Sequence, residues 1–272
     1  MVSERMKIGV TVRNMGEQAA ADTMLACVLA AEAGDVESVW ITDHIAIPPD
    51  DAEGSGGCYT DTLTTLAWLG GATKRIKLGS GVLIIPYRPK LPTAKQVATV
   101  QALCGERLLL GVGIGWMDAE FKALGVDRHQ RGRITDDTLA FFNQCFGQDE
   151  VALNGQRFLF KPRPAKPPIL VGGAAPHALR RAAEYGDGWL PMAGDPAKLA
   201  EPIAQYRAMT DALGKARGSV TVMTALPLAD ANATRQLLDQ YRALGVDRVV
   251  CAMRYVDVDA YRAQLDVLLK VI

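Results

Sequence analysis

The chain has 272 residues, of which 49% are hydrophobic, a length that suits one α/β barrel or two small domains. It carries 30 Lys and Arg against 30 Asp and Glu, so its formal net charge is zero. No overall field therefore favours nucleic acid or an anionic membrane, and an anionic ligand has to be held locally.

The N-terminal segment "MVSERMKIGV" lacks the apolar core of a signal peptide, and no later apolar run reaches about eighteen residues. The five cysteines and three histidines are widely spaced, with no CxxC pair and no metal-site signature. We therefore expect a cytoplasmic protein with reduced thiols, without a metal site, a membrane span or a nucleic-acid partner.

Short apolar and β-branched runs alternate with helical patterns along the chain. Segments such as "AADTMLACVLAAEAG" and "ATRQLLDQYRALG" have apolar residues at helical spacing and end on Gly34 and Gly245. The eight apolar and β-branched runs are candidate strands, and their alternation with helices predicts a (β/α)8 TIM barrel. A doubly wound open sheet is the alternative. The predicted strands are 7–12, 38–43, 76–84, 107–113, 168–173, 187–191, 219–225 and 248–253.

The interval between Gly113 and Pro168 is too long for one plain βα unit. It contains a predicted helix at about 133–146, and two short apolar runs that flank Asn154-Gly155, a strong hairpin signal. We interpret residues of about 117–166 as a helix plus β-hairpin inserted between strands four and five of one barrel domain that covers residues 1–272.

Ligands of TIM barrels bind where the strands end at their carboxyl side, so the residues there are the candidates for a site. The second strand ends in Asp43-His44, and this position favours a catalytic role for His44 over a purely structural one. His129 and His177 lie in polar contexts and are weaker candidates. The third strand carries "GSG" at 79–81, and glycine inside a strand indicates a bulge or a group lying against the backbone.

The fourth and fifth strands also end in glycine-rich segments. "GVGIGW" is not the dinucleotide fingerprint, because Trp116 replaces its last glycine, and we interpret its glycines as room for a flat ligand. "VGGAAP" precedes a helix that opens near Pro176, where exposed N–H groups suit a phosphate; a simple tight turn is the alternative.

Two segments carry a family resemblance: "RIKLGSGVLIIPYRPKLPTAKQVATVQALCGERLLLGVGIGWMDAEFKALGVDRHQRGR" and "PPILVGGAAPHALRRAAEYGDGWLP". They resemble the bacterial luciferase-like oxidoreductase superfamily, most closely the branch that uses the deazaflavin coenzyme F420. The resemblance runs from about Lys7 to the C-terminus, although from Ser219 onward only the barrel pattern is shared. It implies hydride transfer between F420 and a small-molecule substrate, and a homodimer.

The resemblance also implies roles for individual residues. Strand three is expected to bulge at a non-proline cis bond, Gly81–Val82, that supports the deazaflavin ring. His44 would lie near the reactive ring carbon as proton donor or acceptor, and Asp43 would orient the ring or help to bind the cofactor. The residues implied to bind the cofactor are Ser80, Gly81 and Val82 at the bulge, Gly113, Gly115 and Trp116 beside the ring or its tail, and Gly172, Gly173, Ala174 and Ala175 at the phosphate.

Two departures from the family pattern bear on the substrate. Sugar-phosphate dehydrogenases of this branch carry a carboxylate where this chain has Trp116 and an aromatic residue where it has Pro48, so we do not expect sugar-phosphate oxidation. Trp116 and Tyr87 instead predict an apolar, aromatic pocket for an enone, an imine or a ring system. An FMN-dependent monooxygenase on the same barrel and a non-catalytic barrel that binds flavin or deazaflavin are the alternatives.

The second predicted helix has an apolar stripe that two explanations fit. The stripe could form the face of an isologous dimer, but a barrel helix needs the same stripe to cover its strand. Its residues are Leu63, Leu66, Trp68 and Leu69.

Overall fold

The structure is a computed structural model that describes residues 6–192 and 194–272. Residues 1–5, the first half of the N-terminal segment considered above, lie outside the described residues. The strands are β1 (Lys7–Thr11), β2 (Ser38–Ile41), β3 (Lys77–Ser80), β4 (Leu83–Ile84), β5 (Leu108–Gly113), β6 (Glu150–Leu153), β7 (Gln156–Leu159), β8 (Ile169–Gly172), β9 (Gly188–Leu190), β10 (Ser219–Thr224) and β11 (Arg248–Cys251). The helices are α1 (Ala21–Ala33), α2 (Thr62–Ala72), α3 (Lys90–Leu103), α4 (Asp118–Ala123), α5 (Arg131–Gly147), α6 (His177–Tyr185), α7 (Ala200–Ala212), α8 (Ala231–Ala243) and α9 (Val258–Val271).

The strands form a closed parallel barrel. Their order is β3-β2-β1-β11-β10-β9-β8-β5-β4, and the pairing of β3 with β5 closes the ring. Every predicted strand is present, the third being split into β3 and β4. The TIM barrel is therefore confirmed, and the open-sheet alternative is wrong. Strand β5, "LLLGVG", is buried along its whole length, as expected for a parallel strand covered on both faces.

The segment between β5 and β8 contains the predicted helix and hairpin. Strands β6 and β7 pair antiparallel around Asn154 and Gly155, whose φ angles of 51° and 77° suit a two-residue hairpin turn. Helix α5 packs between α3 and α6 and so serves as the fourth helix of the barrel wall. The elements added to the basic βα unit are therefore α4 and the hairpin.

A set of large side chains fills the barrel interior. We call this set the interior cluster; its members are Trp40, Leu109, Leu170, Leu190 and Val250. The indole of Trp40 is fully buried, and its Nε1 donates to Ser38 Oγ at 2.9 Å. A Cβ on Gly79 would lie 2.3 Å from Trp40 Cδ2, so the first glycine of the "GSG" segment is required by the packing of this indole.

Most of the apolar stripe on α2 faces the barrel. Leu63, Leu66 and Leu69 are at most 2% exposed and belong to the main core, whereas Trp68 is 39% exposed. Covering the strands therefore explains the stripe, and the homodimer stays a prediction. Among the described helices, none combines the length and the apolar character needed to cross a membrane.

Candidate functional site

The carboxyl ends of the barrel strands, which we call the rim, gather the residues selected from the sequence. His44 follows β2, Val82 lies between β3 and β4, and Trp116 follows β5. The turn at 172–175 begins at the last residue of β8, at the same end of the barrel. The fold therefore brings segments that are distant in sequence to the end of the barrel where TIM-barrel ligands bind.

His44 is anchored through one ring nitrogen. Its side chain is 18% exposed, and Nδ1 lies 2.8 Å from Glu120 Oε2. The imidazole packs against the rings of Tyr59 and Trp116, at centroid distances of 4.9 and 6.3 Å. Nε2 has no hydrogen-bond partner among the described residues. One nitrogen is thus held by the protein, and the other is left for a ligand.

The carboxylate of Glu120, on α4, is fully buried behind His44. Oε1 accepts hydrogen bonds from the backbone N–H of Ile45 at 2.6 Å and of Ala46 at 3.0 Å. Oε2 accepts from the Tyr87 hydroxyl at 2.9 Å and faces His44 Nδ1. Burial alone would raise the pKa of Glu120, but these hydrogen bonds outweigh it and lower the pKa below its ordinary value. The group is therefore an ionised, acceptor-only carboxylate.

Asp43 is also buried, at 3% exposure, but it faces a different set of donors. Its carboxylate forms a bidentate pair with Arg88, with distances of 2.7 and 2.8 Å, and accepts from Ile84 N at 2.8 Å and Thr62 Oγ1 at 2.9 Å. These four bonds use the acceptor positions of the carboxylate. Asp43 therefore ties β2 to the segment after β4, and a direct role toward the imidazole or a cofactor stays a prediction.

The predicted bulge lies between β3 and β4. The Gly81–Val82 bond is cis, which confirms the bond chosen from the sequence. Gly81 N donates to Ile41 O at 2.7 Å, and the buried Ser80 hydroxyl donates to Gly111 O at 2.8 Å. Ser80 thus anchors the bulge to β5, and its contact with a cofactor stays a prediction.

Glycines at the ends of β5 and β8 leave space that other side chains of the protein fill. A Cβ on Gly113 would lie 2.5 Å from Val82 Cγ2, and one on Gly172 would lie 3.0 Å from Val82 Cγ1. Gly115 has a φ of +76°, and a Cβ there would lie 2.8 Å from Ile84 Cγ2. The space that we interpreted as room for a flat ligand is therefore occupied by valine and isoleucine side chains. Direct contact of these glycines with a cofactor stays a prediction.

Val82 and Met223 form an apolar floor at the rim. Both are half-buried and pack against the interior cluster. A Cβ on Gly81 would lie 2.4 Å from Met223 Cε, so the bulge and the methionine are in close contact. A floor of this kind fits the face of a planar heterocycle.

The turn at 172–175 offers unused donors. Gly173 has a φ of +127°, a region that favours glycine, and its carbonyl accepts from Trp189 Nε1 at 2.9 Å. Ala174 and Ala175 are exposed, and neither N–H donates to another described residue. Two free N–H groups at the start of α6 fit a phosphate.

Aromatic side chains line the rim around His44. Trp116 is 64% exposed and Tyr59 half-buried, so both present ring surface at the rim. Tyr87, expected in the pocket wall, is only 6% exposed; its ring packs edge-on against Phe121 at 5.1 Å. Tyr87 therefore lies behind the site, where its hydroxyl is needed to hydrogen bond a buried carboxylate.

Three residues at or beside the rim were not predicted from the sequence. Glu120 stands in "DAEFKALG", which is indistinguishable from an exposed helical segment, and Tyr59 lies in an irregular loop. Asn14 is fully buried, donating to Thr42 O at 2.8 Å and Thr60 O at 3.1 Å and accepting from Thr42 N at 2.9 Å. The one signal for Asn14 was its place just after a predicted strand, where a polar residue faces the rim.

Comparison with known proteins finds a family match over nearly the whole chain. The family described as Luciferase-like monooxygenase matches residues 6–266. An uncharacterized protein of Mycobacterium tuberculosis (strain ATCC 25618 / H37Rv) is 34% identical over 204 residues, which are 68% of this chain and 70% of that protein. The F420-dependent hydroxymycolic acid dehydrogenase of the same strain is 30% identical over 219 residues, 76% of this chain and 59% of that enzyme.

Solved structures share the fold over almost their full length. The monooxygenase RslO1 from Streptomyces bottropensis has a TM-score of 0.83 at 16% identity, with 98% of each chain covered. An F420-dependent secondary alcohol dehydrogenase, in complex with an F420-acetone adduct, has a TM-score of 0.82 at 17% identity, covering 99% of this chain and 98% of the other. At these identities the likeness concerns the fold alone.

Proposed function

Because the chain belongs to the luciferase-like monooxygenase family, we propose that it is an F420-dependent oxidoreductase that transfers a hydride between the deazaflavin and a small organic substrate. The observation that carries the proposal is His44, a partly exposed imidazole at the rim with one nitrogen anchored and the other without a protein partner. The F420-dependent relative at 30% identity supports the choice of cofactor.

The rim residues fit such a cofactor at its ring and at its phosphate. Val82 and Met223 would support the face of the ring, and the N–H groups of Ala174 and Ala175 would hold its phosphate. When bound, the deazaflavin supplies two-electron hydride chemistry. The protein contributes position, exclusion of water and a group that handles the proton.

His44 is the residue that we assign to the proton. Its Nε2 would accept a proton from the substrate, or return one to it, while Nδ1 stays on Glu120. Trp116 and Tyr59 would cover apolar parts of the substrate beside the imidazole. This arrangement favours a substrate with a flat or apolar body and one polar group at the reacting carbon.

Cofactor choice is tested by anaerobic fluorescence titration of the purified protein with oxidised F420 and, separately, with FMN. Tighter binding of F420 supports the proposal and leads to a screen of electrophiles with reduced F420. Absence of binding to either ring would overturn the cofactor assignment and leave the barrel standing. Binding without turnover across the screen would support a non-catalytic binding protein instead.

The role of His44 is tested by His44→Ala. We expect turnover to fall by about 10²–10⁴-fold, the usual contribution of a general acid or base, while the F420 dissociation constant changes little. His129→Ala, at an exposed position on the surface, is the matched control and should leave both quantities unchanged. Full activity in His44→Ala would remove His44 from the mechanism.

An FMN-dependent monooxygenase is the second candidate, favoured by the description of the family itself. The same floor and the same turn would hold FMN, since that cofactor also combines a flat ring with a phosphate. Oxygen consumption with reduced FMN, and tighter binding of FMN than of F420, would support this candidate against the first.

A further inference from the structure

Glu120 is more than a neighbour of His44, because it determines which ring nitrogen can carry the proton. Its carboxylate is fully buried and accepts from three donors, two backbone N–H groups on Oε1 and the Tyr87 hydroxyl on Oε2. Burial and the adjacent carboxylate both raise the pKa of Tyr87, so the phenol stays protonated and donates its hydroxyl hydrogen to Oε2. The remaining contact of Oε2 is His44 Nδ1 at 2.8 Å.

An ionised carboxylate only accepts hydrogen bonds, so Nδ1 has to be the donor. We propose that Glu120 is a positioning residue that fixes neutral His44 as the Nδ1–H tautomer and so presents the lone pair of Nε2 to the substrate. The part of this inference that concerns turnover rests on the proposed function, whereas the tautomer does not. The partner on one nitrogen of a histidine commonly sets the state of the other in this way.

The tautomer determines how a proton can move at the rim. Oxidation of a carbinol carbon would break its C–H bond and pass the hydride to oxidised F420, if bound, while Nε2 would accept the hydroxyl proton. The O–H bond would break, an Nε2–H bond would form, and a carbonyl would be left; reduction of a carbonyl would reverse both transfers. In both directions the buried carboxylate stabilises the imidazolium that carries the extra proton.

Replacement of Glu120 by glutamine is expected to reverse the tautomer. The backbone N–H groups of Ile45 and Ala46 are donors and both point at the Oε1 position. The amide oxygen of Gln has to occupy that position, which leaves its NH2 group facing His44 Nδ1 and the Tyr87 oxygen. An NH2 group only donates, so Nδ1 would become the acceptor and the proton of neutral His44 would move to Nε2.

The tautomer is read directly by NMR of protein labelled in the histidine rings. The chain has only three histidines, so loss of one resonance set in His129→Gln and another in His177→Gln assigns His44 by elimination. Ring nitrogen and Cδ2 shifts are recorded in the cofactor-free protein, at a pH where a titration shows the imidazole to be neutral. We expect Nδ1–H in the wild type and Nε2–H in Glu120→Gln.

Tyr87→Phe is the matched variant, because it removes a donor from the same oxygen without changing the acceptor that faces Nδ1. It should keep the Nδ1–H tautomer and lose less than about tenfold in turnover. Glu120→Gln should lose about 10²–10⁴-fold in turnover, with a nearly unchanged F420 dissociation constant.

An Nε2–H tautomer in the wild type would overturn the inference, and this spectrum decides the matter even when Glu120→Gln does not fold. An unchanged tautomer in folded Glu120→Gln would overturn it as well. A reversed tautomer with full turnover would overturn the catalytic part. If the protein is inactive with every substrate tested, the proposed function is refuted, while the NMR spectrum still decides the tautomer.

Discussion

Arg88 neutralises the buried carboxylate of Asp43 next to the site, and its removal should be costly. The two side chains are 9% and 0% exposed, and Arg88 lies 2.7 Å from Asp43 and 3.2 Å from Asp61. Methionine has a similar length and no charge. In Arg88→Met the Asp43 carboxylate would keep its hydrogen bonds from Ile84 and Thr62 but would have no counter-charge.

The expected size follows from the burial of the pair. Removing one partner of a buried ion pair costs about 3–5 kcal/mol, because the remaining charge stays in a medium of low polarity. For a domain of this size, such a loss lowers the melting temperature by roughly 6–20 °C. Urea unfolding followed by circular dichroism gives the free energy of unfolding, and calorimetry gives the melting temperature.

Arg262→Met is the matched control. Arg262 pairs with Asp259 at 3.3 Å, but the two side chains are 55% and 91% exposed, so the cost should be about 0–1 kcal/mol. The double variant Asp43→Asn, Arg88→Met removes the stranded charge and should recover part of the lost stability. If Arg88→Met cost no more than Arg262→Met, the reasoning from a buried ion pair would be refuted.

Two further predictions concern the opposite ends of the barrel. Burial opposes ionisation of Glu37, but the hydrogen bonds and ion pair with Arg248 lower the pKa of Glu37 from 4.5 to about 2. The contribution of this pair to stability is therefore present above pH 4.5 and is lost as the pH falls toward 2. We expect the difference in free energy of unfolding between wild type and Glu37→Gln, measured by urea unfolding at several pH values, to shrink by on the order of 3 kcal/mol over that range. A difference that stays constant with pH would contradict the prediction. Gly113→Ala should push Val82 out of its position, cost about 1–3 kcal/mol and weaken binding of F420 measured by fluorescence titration. Val82→Ala in the same chain should restore the stability, and failure to do so would show that the glycine serves another purpose.

The barrel was predictable because its strands have a pattern that little else produces. Strand β5 is a continuous apolar run buried along its length, and β2 is likewise buried at each position. Alternation of such runs with amphipathic helices leaves few topologies. The open sheet was harder to exclude, since closure depends on the pairing of β3 with β5, which no local pattern specifies.

The glycines show where sequence reasoning reaches its limit. A glycine within a strand indicates that something occupies the space of its missing side chain, and this was correct at Gly79. Gly113 and Gly172, which we assigned to a flat ligand and to a phosphate, also lie against a side chain. The sequence does not say what the occupant is. In each case it is a side chain from another strand or from the bulge, Trp40 or Val82, and only the three-dimensional arrangement identifies it.

Glu120 escaped prediction for a different reason. An acidic residue in a short helix is usually exposed, and nothing local distinguishes this one. Its burial depends on donors from the segment after β2 and from Tyr87, all distant in sequence. Glu120 thereby brings a carboxylate to His44 from a helix that follows β5.

The position of this carboxylate limits what it can do. Glu120 lies behind the imidazole with its acceptor positions used by protein donors, so it can exchange no proton with a substrate directly. Its influence on chemistry has to pass through His44, whereas the exposed Trp116 presents its ring at the rim directly. The rim therefore has a histidine paired with a carboxylate and, beside the imidazole, an exposed apolar ring. An arrangement of this kind suits proton transfer at one polar group of a ligand whose remaining surface is apolar.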